Sequence, residues 1–236
     1  MASDTLETTL TSIHEMTPRV KQFILEAGGD HTFSYQPGQH VVIKFEQNGD
    51  VVGRPYTPVN LPGTGALALG IKRYEDGTAS TWMHDRSVGE EITITKPSGN
   101  LHLRDLDRDV VFLSTGTGIT PMIAMLKQYL SEGSGRAAFL YGERTQEDIM
   151  YRETLDHLSA DHENLEVLYS LSDEDWDGPT GHVQTHLGDV VDERFEDPHY
   201  YICGIPPMVV DSEEMLQEEG VDDGRIFTEG WESDAV

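Results

Sequence analysis

Apolar and polar residues alternate in short runs over the first hundred positions, as in Gln39-His40-Val41-Val42-Ile43-Lys44-Phe45, Ala66-Leu67-Ala68-Leu69-Gly70-Ile71-Lys72 and Glu91-Ile92-Thr93-Ile94-Thr95. A period of two belongs to a strand with one buried face. Turn-forming residues break the runs at Gln47-Asn48-Gly49-Asp50 and Pro62-Gly63-Thr64-Gly65. Many short strands between turns predict an antiparallel β-barrel or sandwich. One helical piece, Ser80 to Asp85, interrupts it.

After Leu103 the rhythm changes. Val110-Val111-Phe112-Leu113 reads as a buried strand and is followed by a helical stretch from about Pro121 to Leu130. Strand patterns then recur at 137–141, 165–169, 200–203 and 225–228, separated by helical patterns around 147–158, 182–187 and 207–217. Strands that alternate with helices predict a parallel α/β sheet covered on both faces. The expected organisation is therefore two domains, 1–103 and 104–236, with no long linker and no internal repeat.

Composition narrows the function. Hydrophobic residues make up 37% of the 236 positions, enough for a real core. The formal net charge is −27, from 43 acidic and 16 basic residues. Nucleic acid and anionic membrane surfaces would repel such a chain. The carboxylates are spread through every segment, which suits a protein working in molar salt, where the Debye length shrinks to about 3 Å. No apolar stretch approaches the roughly 18 residues that span a bilayer, so no membrane insertion is expected. The N-terminus has neither basic nor apolar run, so a cytoplasmic protein is expected. The single cysteine, Cys203, leaves no set of thiolates for an iron–sulfur cluster. Any cluster must belong to a partner.

Four short motifs follow one another. Arg54-Pro55-Tyr56-Thr57 joins a guanidinium that can grip phosphate to an aromatic ring that can stack and a hydroxyl that can donate. A strand-edge Arg–Tyr pair explains it as well. Gly77-Thr78-Ala79-Ser80 opens the one helix of the first half, with Ser80 at an N-cap position; it reads as a diphosphate site or as a capped helix start. Gly116-Thr117-Gly118-Ile119-Thr120-Pro121 lies between a strand and a helix, where glycines let backbone N–H groups approach an anion. It is neither a P-loop nor the full dinucleotide fingerprint, because Pro121 stands where the third glycine belongs. Cys203 ends a buried strand, either as a small core residue or at the ligand-collecting edge of the sheet. His182 and His186 have helical spacing but no third metal ligand, so no metal site is expected. No Gly-x-Ser-x-Gly nucleophile elbow occurs.

In this order the motifs resemble the ferredoxin-NADP reductase superfamily, from about Leu10 to Trp231. The resemblance implies an antiparallel flavin-binding barrel followed by an α/β nicotinamide-nucleotide domain. It also implies an enzyme exchanging hydride between NAD(P)H and bound FAD, and single electrons with a separate carrier such as ferredoxin. Arg54, Pro55, Tyr56 and Thr57 would hold the flavin, Thr57 near its N5. Gly77, Thr78 and Ser80 would bind its diphosphate, and this complete motif favours FAD over FMN. Gly116, Thr117, Gly118 and Pro121 would lie under the nicotinamide nucleotide's diphosphate. Gly204, Pro206 and Met208 would bind the nucleotide with Cys203 beside nicotinamide C4. Glu229-Gly230-Trp231 matches the acidic-x-aromatic ending, with Trp231 over the flavin face. Thr57, Cys203 and Glu229 are the expected catalytic set.

Two departures stand out: Ile205 replaces a proline, and Lys96-Pro97-Ser98-Gly99-Asn100-Leu101 lacks the leading Gly and the Phe of the usual segment. After the third α/β strand comes Ser172-Asp173-Glu174-Asp175, with Arg144 as the nearby candidate donor. Three carboxylates favour NADH over NADPH. An electron-transfer subunit of a larger complex and an NAD(P)H:flavin reductase are the alternative readings.

Overall fold

The computed structural model describes residues 5–191 and 197–230. The chain divides into two compact units, one up to His102 and the other from Leu103.

The first unit is an antiparallel sheet of β1 (Thr5–Thr17), β2 (Val20–Ala27), β3 (Val41–Gln47), β4 (Asp50–Tyr56), β5 (Ala66–Lys72) and β6 (Glu91–Thr95), in the order β4-β3-β6-β1-β2-β5. Its two edges meet where Pro58 bridges Leu69 and the Val59 N–H donates to the Ala68 carbonyl at 2.9 Å, which closes the sheet into a barrel. The alternation explains the inside: Val41, Ile43 and Phe45 are buried while Val42 and Lys44 are half-exposed. With Leu10, Phe23, Leu25, Leu67, Leu69, Ile92 and Ile94 they form one apolar core. Helix α1 (Thr78–His84) adds Ala79 and Met83 to it.

The helix begins two residues earlier than the sequence pattern suggests, and Ser80 is not its cap. Gly77 is the N-cap residue, with no side-chain cap bond. Ser80 sits inside the first turn, where its hydroxyl accepts from the Tyr74 N–H at 3.3 Å. The oxygen closes the preceding loop rather than the helix end.

The second unit is a parallel sheet of β7 (Val110–Thr115), β8 (Ala137–Glu143), β9 (Leu165–Leu171), β10 (His199–Gly204) and β11 (Ile226–Gly230), ordered β11-β10-β7-β8-β9. Every residue of β8 and β10 is buried, the signature of a strand covered on both faces. Helix α2 (Ile119–Glu132) packs on β7 and β10, and α3 (Arg152–Asp161) on β9. The short α4 (Leu187–Val190) and α5 (Pro206–Glu218) bring Leu187, Val190, Met208, Val209 and Leu216 onto Val111, Leu113, Tyr200 and Ile202. The strand order reverses after β9, and such a reversal puts helices on both faces of a sheet whose crossovers keep one hand.

The helical pattern around 147–158 is only partly realised. A 3-10 turn covers Gln146–Asp148, and α3 starts at Arg152 because Tyr151 adopts φ 56°, outside the helical region. Ile149 and Met150 are buried in the connection; burial of those apolar side chains overrides local helix propensity.

Candidate functional site

In the barrel unit, β4 delivers Arg54, Pro55 and Tyr56, and Thr57 follows at the strand end. Thr57 is 2% exposed, and its hydroxyl oxygen has no hydrogen-bond partner among the described residues; nor has Arg54 Nε, although Arg54 Nη1 donates to the Gly53 carbonyl at 2.9 Å. Polar atoms that are sealed yet unpaired are rare in folded proteins and call for a partner. Burial raises the Tyr56 phenol well above its ordinary pKa, against the lowering effect of Arg54. The ring therefore stays neutral and suited to stacking. Gly77 is buried against Tyr74, and a side chain there would meet Tyr74 Cβ at 3.0 Å and collide with the Ser80 hydroxyl. Thr78 is half-exposed on the uncapped helix start beside it. These residues fit FAD: a guanidinium, a neutral aromatic ring, an unpaired hydroxyl and an uncapped helix start are the groups an isoalloxazine diphosphate needs.

In the second unit the strand order reverses between β7 and β10, which makes their carboxyl ends the switch point where open α/β sheets collect ligands. The Gly116-Thr117-Gly118 turn leaves β7 there, and Gly204-Ile205-Pro206 leaves β10. Gly116 has φ 56°, in the left-handed region. Gly118 lies so close to the Cys203 carbonyl and the Gly204 N–H that no side chain could stand there. Helix α2 opens without a side-chain cap or an acidic residue in its first turn, and Pro121, buried in that turn, brings no N–H. The positive end of the helix dipole is left for an anion.

Register places two of the expected catalytic residues side by side. Cys203 is paired with Glu229 on one side and Ser114 on the other, and in-register residues of adjacent strands share a face. Cys203 is fully buried as a thiol outside any disulfide. Met208 is buried on α5 behind Gly204, whose added Cβ would meet Met208 Cε at 2.6 Å, while Pro206 is exposed at the helix start. Thr57 belongs to the other unit, and Trp231 lies outside the described residues.

Arg144 is exposed after β8 and is already engaged: its Nε donates to Asp173 Oδ2 at 2.6 Å. The bond holds the Asp173 carboxyl below its usual pKa. Glu174 accepts from the Gln146 N–H at 2.7 Å and side-chain amide at 2.8 Å, which lowers its pKa too. The acidic loop is thus clamped onto the loop after β8. His186 bonds to Asp189 and the Thr180 carbonyl, and among the described residues no group of three or more His, Cys, Asp or Glu could hold a metal ion.

Sequence reasoning missed Ser114 and Thr115. Thr115 Oγ1 accepts from the Ile205 N–H at 3.2 Å and fastens the two loops together. Ser114 is fully buried, and its oxygen has no partner among the described residues. Two hydroxyl residues closing the otherwise apolar run Val110-Val111-Phe112-Leu113 were the available signal.

A closed antiparallel sheet with unpaired polar atoms at one strand end, followed by a parallel sheet with a glycine loop at its switch point, defines a two-domain architecture of the nucleotide-binding class. Residues 7–103 match the family described as an oxidoreductase FAD-binding domain, and residues 112–214 the one described as an oxidoreductase NAD-binding domain. Ferredoxin--NADP reductase B of Sorangium cellulosum is 29% identical over 98% of this chain and 99% of its own length. NADH-cytochrome b5 reductase 1 of Candida glabrata is 32% identical over 78% of this chain and 68% of its own length. The FAD/NAD-binding domain of a nitric oxide dioxygenase from Vibrio cholerae has the same fold, with a TM-score of 0.88 and 24% identity over 97% of this chain and 99% of that one. The chain spans 60% of the length of the glycine betaine monooxygenase reductase subunit of Pseudomonas aeruginosa. The chain belongs to the ferredoxin-NADP reductase family and is an NAD(P)H-dependent flavin oxidoreductase that uses FAD. Among its described residues no helix is long and apolar enough to cross a membrane.

Proposed function

We propose that this protein passes electrons between NADH and a separate one-electron carrier, a ferredoxin, by way of bound FAD, in a high-salt cytoplasm. The observation that carries the reading is the switch point of the parallel sheet, where the glycine turn after β7 presses on the Cys203–Gly204 backbone and Cys203 stands level with Glu229. FAD, when bound, supplies the hydride acceptor and the ability to release electrons one at a time. Arg54 holds its phosphate, Tyr56 stacks on it, and the Thr57 hydroxyl meets a polar edge of the ring. Gly77, Thr78 and Ser80 hold its diphosphate. Gly116, Thr117, Gly118 and Pro121 present the uncapped end of α2 to the nucleotide diphosphate. Gly204, Pro206 and Met208 shape the nucleotide's seat, and Cys203 and Glu229 orient its nicotinamide end; neither needs to change protonation state for this. Water exclusion and orientation are the protein's share of the catalysis.

NADH is favoured because Arg144, the nearby candidate donor for a 2′-phosphate, is already bonded to Asp173 amid Glu174 and Asp175. The ferredoxin reading has the support of a near full-length relative that carries that name. A high-salt setting accords with the net charge of −27. A second reading, the reductase subunit of an oxygenase system, is favoured by similarity to such components.

Absorbance spectroscopy tests the proposal. The purified protein is expected to be yellow, to bleach with NADH at a higher kcat/KM than with NADPH, and to recover its colour on addition of oxidised ferredoxin. A colourless protein with no tightly held flavin would instead favour a flavin reductase.

A further inference from the structure

The side chains at the carboxyl edge of the parallel sheet form one row across four strands: Glu229 on β11, Cys203 on β10, Ser114 on β7 and Tyr141 on β8. Ser114 is 0% exposed, and its hydroxyl has no hydrogen-bond partner among the described residues. A buried hydroxyl left unsatisfied costs stability that an alanine of nearly the same size would not, so this oxygen calls for a partner. On the β8 side, the Tyr141 hydroxyl is already committed, donating to Glu143 Oε1 at 2.7 Å and lying 3.3 Å from the Gly116 carbonyl. On the β10 side stands the Cys203 sulfur, one strand spacing away, about 4.8 Å between backbones. A change of the Ser114 χ1 between staggered positions redirects its hydroxyl along the sheet.

We infer that Ser114 is a positioning residue for Cys203, its hydroxyl donating to the sulfur and fixing the thiol rotamer at the nicotinamide end of the site. A sulfur that accepts from Ser114 presents its own proton away from β7, on the side where Glu229 continues the row. The inference rests on the proposed role of Cys203, and it adds a group that neither touches the nucleotide nor titrates.

The chain contains one cysteine, so the infrared S–H stretching band of the flavin-loaded protein reports on this thiol alone. Cys203→Ser removes the band and confirms its assignment. Ser114→Ala is expected to shift the band and to slow flavin reduction by NADH several-fold in a single turnover, with flavin content and melting temperature retained. Ser114→Thr, which keeps the hydroxyl, is expected to restore the band position and most of the rate; Ser114→Gly serves in its place as a second hydroxyl deletion if the extra methyl prevents folding, and is expected to behave as Ser114→Ala does. A band that stays where it was in Ser114→Ala overturns the inference, and so does a shifted band with an unchanged reduction rate. A wild-type protein that NADH does not bleach would sink the function proposed above. That failure is recognisable separately, because the band is recorded without nucleotide.

Discussion

At Gly118 the absence of a side chain lets the turn after β7 rest on the backbone of β10. Its φ of −58° suits alanine, so any damage from Gly118→Ala is steric. The neighbouring backbone has to shift, at a cost of about 1–3 kcal/mol, seen as a lower urea midpoint together with weaker nucleotide binding in a titration. Cys203→Ala is expected to lower the single-turnover hydride-transfer rate strongly while flavin content is retained; equal rates in mutant and wild type would remove Cys203 from the mechanism. His199 supplies a pH signature. Burial holds its pKa below the ordinary value, Arg108 and Arg225 adding to the effect and Asp105 opposing it. A depressed folded-state pKa contributes stability that is complete above the unfolded value near 6.5 and is lost as pH falls through the folded one. Denaturation at pH 8 and 5.5 should therefore show the wild type losing more stability than His199→Phe, whose ring can keep the contacts to Tyr201 and Phe227. At this scale the glycines and Cys203 were legible because their positions at strand ends imply backbone approach. Ser114 was not, since its meaning comes from Tyr141 and Cys203, distant in sequence and adjacent only once the strands pair.

The strands were the most legible elements. Val41, Ile43 and Phe45 alternate with polar or half-exposed neighbours as a one-sided strand must, and the unbroken apolar run from Val110 marks a two-sided one. What alternation cannot carry is a backbone exception. Tyr151 turns left-handed and cuts the third helix short, and Ser80 bonds backward to Tyr74 instead of capping; both depend on what the neighbouring loop needs. The loop after β9 belongs to this scale as well. Its hold on Arg144 predicts that Asp173→Ser frees the guanidinium and reduces the preference for NADH over NADPH on the order of tenfold, about 1.4 kcal/mol. Steady-state kcat/KM values for both nucleotides check this, and an unchanged ratio would show that the clamp does not select.

Charge governs the behaviour of the whole molecule. With 43 acidic residues against 16 basic ones, self-repulsion opposes compaction in dilute buffer, and molar potassium chloride screens it within about 3 Å. The melting temperature is expected to climb between low and molar salt; a curve indifferent to salt would make the acidic coat merely a solubility device. Connectivity sets a different limit. The bond between Ile205 and Thr115 joins residues 90 positions apart, and β10 lies inside its sheet, between β11 and β7, although it is the fourth of that sheet's strands to be synthesised. On the ribosome, a chain that has emerged only through α3 holds the glycine turn after β7 without the strand it leans on. Closing so long a span is slow, so the glycine turn after β7 reaches its final setting late, only once β10 has been made and docked.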